Sequence, residues 1–427
     1  MSQKKGKLVM AGLAVLSIGA MAVVSGAASP AKAYASAKPI TLVFANDGLG
    51  TELSSTNVAV KEFEKLHPNI HIKVIVESAN STQAYQTLVT NLSSGSATPD
   101  VISADVTYPA TFAASHWILP LNKYGFNLKT FYPGMVKSGE YRGKLYAIPW
   151  FINVEGLYYR TDLVKTPPKT FAQVLADAKR VLKSHPKMIG VAFEAQKYEG
   201  AVTVFQDIAG GFGGSFLNAK GKPVLNSAAD IRALTWLNSL IKSKVSPASV
   251  TGWQEGNVQQ AFTSGQAVFG FNWPYLYPLA EAKGTPTKGH TGFIAPPVSG
   301  SHSPVASLGG TDLVINKHTK YPKQAVMFVK FLTSKAIQTQ RAVLAGDPPS
   351  RSDSYTPALY KQAPWFKQEK TVYKYATPRP VTPLYPQISA YIQTALSSVY
   401  SGQMSPKAAL DQAQSEVVKL MGQTHGG

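Results

Sequence analysis

The chain has 427 residues, of which 44% are hydrophobic and 15% are charged. Its length predicts two lobes rather than one core, and its hydrophobic content is that of a globular protein. Cys is absent, which excludes disulfides, Cys-ligated zinc, iron–sulfur clusters and thiol catalysis. Lys and Arg outnumber Asp and Glu by 42 to 23, so the net charge is +19.

Three explanations fit this positive charge, and the sequence disfavours one of them. Binding to nucleic acid would require basic residues clustered with aromatic ones, whereas the Lys residues here are scattered singly. We therefore predict no nucleic-acid partner. Attraction to an anionic cell envelope and an acidic working environment both remain open.

The first 37 residues have the pattern of a secretory signal peptide. Three Lys within the first seven residues precede an uncharged apolar run at 8–24, and Ala-x-Ala patterns follow at 31–33 and 35–37. The run is near the lower limit for spanning a bilayer, so an uncleaved anchor is the alternative. Cleavage would remove four Lys and no acid, so the net charge would fall from +19 to +15. The signal peptide predicts a secreted, extracytoplasmic protein.

The next part of the chain alternates strands with helices. Apolar runs predict strands at 40–44, 70–76 and 101–104, and spaced apolar residues predict helices at 58–66 and from an N-cap at Ser81. This order predicts parallel strands with a ligand beyond their carboxyl ends. The polar residues in the loops and helix starts at that edge are Glu52, Ser81, Thr82 and Asp105.

The stretch from Tyr146 to Leu163 predicts the first crossover between the lobes. It is rich in aromatic and β-branched residues, which favour strands. Pro149 cannot donate to a strand ladder, so it belongs at a strand start or edge with a break in pairing beside it. Glu155 and Gly156 form a second predicted break in the strand. We predict that the cleft between the lobes lies beside this strand.

Beyond the crossover, helices are predicted at 170–184 and 228–244, and a short strand at 268–272 runs into Trp273. The Pro- and Gly-rich residues 296–303 look like a linker back to the first lobe. The remaining predicted elements are a strand at 309–316 after a glycine turn, a helix at 321–333, and tail helices at 388–400 and 406–421 that pack on the second lobe.

The predicted fold is therefore α/β, with two lobes joined by a hinge. After a signal peptide at 1–37, we assign residues 38–150 and 298–347 to the N-terminal lobe. Residues 151–297 and 348–427 form the predicted C-terminal lobe.

Catalytic signatures are sparse in the sequence. It contains no Gly-x-Ser-x-Gly, no His-Glu-x-x-His, no P-loop and no Gly-x-Gly-x-x-Gly. His67 and His71 have helical metal-ligand spacing, but Pro68 lies between them, so surface residues are the better interpretation. An acid pair for glycoside hydrolysis stays open without a supporting motif. We predict no enzymatic activity, no cofactor and no metal.

Aromatic residues concentrate where predicted elements meet. An aromatic ring offers a flat apolar face, and Trp and Tyr add a polar group, which together suit the C–H faces and hydroxyls of a sugar. Most isolated aromatic residues belong to cores. Trp273 and Tyr275 follow a strand end on either side of Pro274, and for these two we favour a ligand-binding role.

Several motifs resemble those of family 1 extracellular solute-binding proteins, which are the sugar-binding proteins of ABC importers. They are Lys-Leu-Tyr-Ala-Ile-Pro-Trp (144–150), Leu-Tyr-Tyr-Arg-Thr-Asp-Leu (157–163), Gly-Gly-Thr-Asp-Leu-Val-Ile-Asn-Lys (309–317) and Phe-Val-Lys-Phe-Leu-Thr-Ser (328–334). Two more specific motifs, Lys-Tyr-Glu-Gly (197–200) and Arg-Pro-Val-Thr-Pro (379–383), are similar to the trehalose/maltose-binding branch. The likeness extends from about residue 40 to about residue 420.

This resemblance implies a type II periplasmic-binding fold that closes on its ligand by hinge bending. It also implies a monomer that delivers a disaccharide or short oligosaccharide to an ABC importer permease. By motif position, Asp105 resembles the acceptor of sugar hydroxyls, Trp273 and Tyr275 the stacking residues, and Arg379 a donor to sugar oxygens. The full set of implied ligand-binding residues is Glu52, Ser81, Thr82, Asp105, Phe151, Asn153, Trp273, Tyr275, Gly310, Thr311 and Arg379.

Three positions depart from the family pattern. Asn153 stands where the branch often has Asp, and Thr311 stands where a Trp commonly follows the Gly-Gly pair. Another disaccharide or a short oligosaccharide therefore stays open as an alternative to trehalose. Val24-Ser25-Gly26-Ala27 resembles a lipoprotein box with Ala27 in place of the acylated Cys. Lipid attachment through this chain is therefore excluded, and we predict a free protein or one held at the envelope by charge.

A secreted carbohydrate-active enzyme and a wall-binding lectin-like protein are the alternatives to a receptor. An enzyme would turn its sugar over, and a lectin would bind it without closing. A cationic ligand such as a polyamine would require an acidic cleft, which the shortage of acids disfavours.

Overall fold

The computed structural model describes residues 38–46, 48 and 51–423, so the predicted signal peptide lies outside the described residues. The strands, numbered in chain order, are β1 Ile40–Asn46, β2 Ile70–Val76, β3 Val101–Asp105, β4 Glu140–Tyr141, β5 Lys144–Leu145, β6 Ala147–Val154, β7 Gly156–Arg160, β8 Ile189–Ala192, β9 Ala267–Asn272, β10 Thr291–Ile294, β11 Ala306–Ile315 and β12 Ala376–Pro378.

The α-helices of the same residues are α1 Glu52–Leu66, α2 Ser81–Ser93, α3 Tyr108–Ala114, α4 Pro133–Ser138, α5 Phe171–Ser184, α6 Glu199–Gly211, α7 Ala228–Lys242, α8 Glu255–Thr263, α9 Leu276–Ala280, α10 Pro322–Leu332, α11 Lys335–Ala345, α12 Pro357–Gln362, α13 Phe366–Tyr373, α14 Tyr385–Tyr400 and α15 Pro406–Gln423. None of these helices combines the length and the hydrophobicity needed to cross a membrane.

The first sheet has the strand order β12-β11-β3-β1-β2, and β6 also pairs with β11. Strand β1 pairs in parallel with both β2 and β3, as the alternation of strands and helices predicts. Strand β11 runs antiparallel to β3 and β6. Helices α1 and α10 cover one face, where Phe63 and Phe328 pack against Phe44 and Trp150.

The second sheet has the order β10-β7-β9-β8 and a core of its own. Helices α5, α6 and α7 pack on it through buried residues that include Val174, Phe205 and Leu237. The tail helices α14 and α15 join the same core through Ile392 and Leu410, as predicted. The molecule therefore has the two-lobed architecture that the sequence predicts.

The chain passes from the first sheet to the second at Glu155, which lies between β6 and β7. Its backbone N donates to the Ser307 carbonyl oxygen at 3.1 Å, and the Ser307 N donates to Asp207 Oδ1 at 2.6 Å. Ser307, near the start of β11, is thus bonded both to the first connection between the sheets and to α6 of the second lobe. The predicted lobe boundary between residues 150 and 151 falls inside β6, and we propose that the lobe changes at Glu155.

Two local features differ from the sequence-based expectation. Gly309 and Gly310 lie within β11 rather than in a turn before it. Asn80, not Ser81, caps α2, since its Oδ1 accepts from the Gln83 N at 3.1 Å. The predicted irregularity beside Pro149 is present, because the β6–β11 register shifts between Thr311 and Asp312.

Candidate functional site

A cavity of about 820 Å³, including the open space at its mouth, lies between the two sheets. Both lobes contribute to its wall: β3, β6 and β11 belong to the first sheet, and Trp273 directly follows β9 of the second. The residues that line it are Glu52, Glu77, Ser78, Ala79, Ser81, Ala84, Ser103, Asp105, Tyr108, Phe151, Asn153, Tyr198, Glu199, Gly200, Thr203, Glu255, Trp273, Gly309, Gly310, Thr311 and Arg379.

Most of the residues that the sequence assigned to ligand binding meet at this cavity. The ones in its lining are Glu52, Ser81, Asp105, Phe151, Asn153, Trp273, Gly310, Thr311 and Arg379. The remaining two, Thr82 and Tyr275, are outside the lining.

Thr82 and Tyr275 support the lining residues instead of forming the wall. Thr82 Oγ1 accepts from the Glu199 N at 3.2 Å. Tyr275 is 2% exposed and lies just before α9. Burial, and then the neighbouring Glu255 carboxylate, raise the pKa of its phenol.

The starts of four helices bring polar residues to the cavity. Glu52 begins α1, Ser81 begins α2, Glu199 begins α6 and Glu255 begins α8. The N-terminus of a helix carries partial positive charge and unpaired N–H groups, which favour a carboxylate there. Asp105 is the last residue of β3, so the predicted edge of the sheet does carry this side chain.

Arg379 joins the two lobes across the cavity. Its Nη2 donates to both oxygens of Asp105 at 2.9 and 3.0 Å, and its Nη1 donates to Glu199 Oε1 at 2.8 Å. Burial opposes the charge of the guanidinium, but Asp105, Tyr385 and Glu199 hold the pKa of Arg379 well above its ordinary value. The resemblance assigned Arg379 as a donor to sugar oxygens, whereas in the structure its Nη1 and Nη2 donate to these two carboxylates.

Aromatic side chains form two parts of the wall. Trp273 is 9% exposed and packs on Gly309, where an added Cβ would lie 2.8 Å from the indole. The Trp273 carbonyl oxygen accepts from the Tyr158 hydroxyl at 3.0 Å. Phe151 is held from behind by the Arg341 guanidinium, whose carbon is 4.5 Å from its ring centroid. Both rings are therefore fixed by their neighbours.

Gly310 allows the backbone of β11 to approach β6 at the cavity. Its φ of +108° is disfavoured for residues with a side chain, and an added Cβ would lie 2.4 Å from the Phe151 carbonyl oxygen. In the glycine pair of the family motif, Gly310 thus allows the close approach of the two strands, and Gly309 leaves room for the Trp273 ring.

Sequence reasoning missed several lining residues, including Glu77, Ser103 and Thr203. Tyr198 and Glu199 stand in the Lys-Tyr-Glu-Gly motif, so that motif offered a signal for both. Glu77 directly follows β2 at the predicted ligand edge. No pattern around Glu255 indicated that it would reach the site.

A second cavity, of about 1830 Å³ with its open space, lies on the other face of the same strands. Ile152 and Leu308 line it, whereas Phe151 and Gly309 line the first, as the alternation of side chains along a strand requires. Its wall is largely apolar and also includes Lys137, Lys370 and Lys374. The first cavity fits a hydroxylated ligand better. Among the described residues, no group of three or more His, Asp or Glu could hold a metal.

Comparison with known proteins shows the family. The profile of bacterial extracellular solute-binding proteins matches residues 47–339. A protein of Deinococcus radiodurans, named a probable ABC transporter-binding protein, is 30% identical over 404 residues, which are 91% of this chain and 96% of the relative. This chain is a bacterial extracellular solute-binding protein.

Other proteins resemble this solute-binding protein in structure or in sequence. The structure titled maltose-bound T. maritima MalE3 is 31% identical, covers 89% of this chain and 99% of its own, and superposes with a TM-score of 0.85. A mannitol-binding protein of Pseudomonas aeruginosa is 23% identical over 84% of this chain and 88% of its own. Family members bind solutes rather than transform them, so the solute-binding protein is not an enzyme.

Proposed function

We propose that this solute-binding protein works outside the cytoplasm. There it captures a sugar or polyol between its lobes and delivers it to the permease of an ABC importer. The observation that carries the proposal is the cavity between the sheets, which combines Trp273 and Phe151 with carboxylates, hydroxyls and an amide. Ring faces suit the C–H faces of a sugar, and the polar groups suit its hydroxyls.

Within this class we favour a disaccharide of the trehalose/maltose type. The resemblance of the Lys-Tyr-Glu-Gly and Arg-Pro-Val-Thr-Pro motifs supports this choice, and the relative titled as maltose-bound has the same fold. A sugar alcohol is the second candidate, because one relative is named a mannitol-binding protein.

Closure of the lobes is part of the proposal. Glu155 lies on the first connection between the lobes, and its backbone N donates to the Ser307 carbonyl oxygen of β11. A ligand that contacts Asp105 and Trp273 together would favour the closed arrangement.

A thermal-shift screen of the purified protein against trehalose, maltose, sucrose and mannitol tests the proposal. A ligand that binds only the folded state adds about 2.7 kcal/mol of stability at a hundred times its dissociation constant. We expect one of these compounds to raise the Tm by several degrees and to reduce the radius of gyration in solution scattering. A folded protein that responds to none of them would contradict the choice of a neutral sugar or polyol as ligand, and binding without compaction would indicate a lectin-like role.

A further inference from the structure

The wall of the interlobe cavity has a charge opposite to that of the chain. Five of its 21 lining residues are acids, namely Glu52, Glu77, Asp105, Glu199 and Glu255, and Arg379 is the one basic residue in that lining. The whole chain has 23 acids and a net charge of +19. The sequence argument against a cationic ligand was the small number of acids in the whole chain. That argument does not hold for this cavity, because several of the acids line it.

The acids approach the cavity from both lobes. In the first lobe, Glu52 begins α1, Glu77 follows β2 and Asp105 ends β3. In the second lobe, Glu199 and Glu255 begin α6 and α8. A ligand between the lobes would therefore have carboxylates on two sides. Since like charges that share a partly buried site repel one another, closure is favoured by a ligand of opposite charge.

Arg379 contacts two of these five acids. Its guanidinium is shared by Asp105 and Glu199. Five carboxylates and one guanidinium give the lining a formal charge of −4. A neutral sugar donates hydroxyl hydrogens to carboxylates, but it contributes no positive charge.

A buried hydroxyl and an aromatic ring add independent support for a polar ligand at this place. Ser103 is 3% exposed and lines the cavity, and its Oγ has no hydrogen-bond partner among the described residues. Buried polar groups in folded proteins are nearly always paired, so this hydroxyl is suited to a ligand. The Trp273 ring can contact both C–H groups and a cation.

We propose that the preferred ligand is a hydroxylated cation, that is, a sugar or polyol with a protonated amine. This inference rests on the proposed sugar-binding function and specifies its ligand class. The amine would lie among the carboxylates, and the hydroxyls would reach Ser103 and the remaining acceptors. A polyamine without hydroxyls would leave those groups unpaired, so it should bind less tightly.

The test compares sugars that differ only in whether a hydroxyl is replaced by an amine or an acetamide, at one position in the first series and at two in the second. Isothermal titration at mildly acidic pH would use two matched series: trehalose, trehalosamine and N-acetyltrehalosamine, and cellobiose, chitobiose and N,N′-diacetylchitobiose. In at least one series we expect the free amine to bind roughly tenfold or more tightly than both the hydroxyl and the acetyl form. Its affinity should fall between about 50 and about 500 mM salt, while that of the neutral forms should not.

Variants locate the effect. Glu77→Gln and Glu255→Gln keep the shape and remove one charge, so each should lower the ratio of amine to hydroxyl affinity several-fold. Glu140→Gln is the matched control, because Glu140 is exposed on β4 and outside the lining, and it should keep the ratio.

The outcomes separate the two proposals. Binding of a neutral sugar with equal or weaker binding of its amine would overturn this inference and leave the receptor function standing. Silence of the folded protein with every neutral and amino sugar would overturn both. An unchanged ratio in both Gln variants would also contradict the inference.

Discussion

At the scale of single residues, Arg379 connects most of the site. Its side chain is 2% exposed, and it binds a carboxylate from the end of β3 and another from the start of α6. Tyr385 and Ser389 of α14 also donate to Glu199, so the second carboxylate is shared with the tail helix. Removal of one partner of a buried ion pair is costly because the other charge stays buried.

We predict that Arg379→Met destabilises the protein more than the loss of a surface pair. The expected loss of unfolding free energy is about 3 kcal/mol, the lower end for buried pairs, because Asp105 is still 26% exposed. Urea titration measures it. The control is Arg351→Met, which removes a pair with Asp353 that is 18% and 31% exposed and should cost about 1 kcal/mol or less. Equal losses would contradict this prediction.

We also predict that Trp273→Ala weakens binding of the sugar found in the thermal-shift screen. Loss of apolar contact with the indole should cost ~1–3 kcal/mol of binding free energy, which calorimetric titration measures. Trp273→Phe should lose less because it keeps a ring. Trp117→Ala is the control, since Trp117 is half-buried and packs against the core of the first lobe, outside the cavity lining. Unchanged affinity in a folded Trp273→Ala protein would refute the role of this residue.

At the scale of secondary structure, the pairing of β6 with β11 shapes the cavity floor. Phe151 and Asn153 come from β6, and Gly309, Gly310 and Thr311 come from β11. The register shift beside Pro149 turns β6 at the point where Phe151 faces the cavity. A change in the separation of these two strands would therefore move both walls.

We predict that Gly310→Ala lowers the unfolding free energy by more than the strain of a positive φ alone would. The control is Gly402→Ala, because Gly402 also has a positive φ, of +77°, but an added Cβ there meets nothing within 4 Å. Strain alone should cost roughly 1–2 kcal/mol at either site. The contact of 2.4 Å with the Phe151 carbonyl oxygen should add to this at Gly310. Equal unfolding free energies for the two variants would show that the strands separate freely.

At the scale of the whole molecule, buried carboxyl groups link stability to pH. Burial is the main cause that raises the pKa of Glu155 to about 8, of Asp312 to about 8 and of Asp230 to about 7. Burial also raises the pKa values of Glu194 and Asp207. These acids hold protons in the folded state that the unfolded chain releases near pH 4.

We therefore predict that stability falls as pH rises from about 5 to about 8. The folded state binds more protons over this range, so each such group should remove up to ~1.4 kcal/mol of unfolding free energy per pH unit. Urea titration at several pH values measures the slope. Glu155→Gln should flatten it, whereas Glu140→Gln, at an exposed site, should not. Stability that rises with pH would contradict the prediction, and agreement would favour an acidic working environment.

Local patterns in the sequence predicted much of the framework. Alternating apolar residues predicted β1, β2 and β3, and their order along the chain predicted that they are parallel, because strand–helix–strand connections impose it. The strand-forming stretch from Tyr146 to Leu163 predicted the crossover, and the ends of the strands predicted the position of Asp105. These features depend on residues close together in the chain.

Only the tertiary structure decided which side chains share the cavity. Trp273 and Tyr275 are two residues apart, yet one lines the wall and the other is buried before α9. Glu77 and Glu255 come from different lobes, so their approach depends on how the lobes pack. The charge of the site depends on the same packing, because a basic chain can gather its few acids at one place. Local sequence thus determined the elements, and contacts between distant segments determined the chemistry of the site.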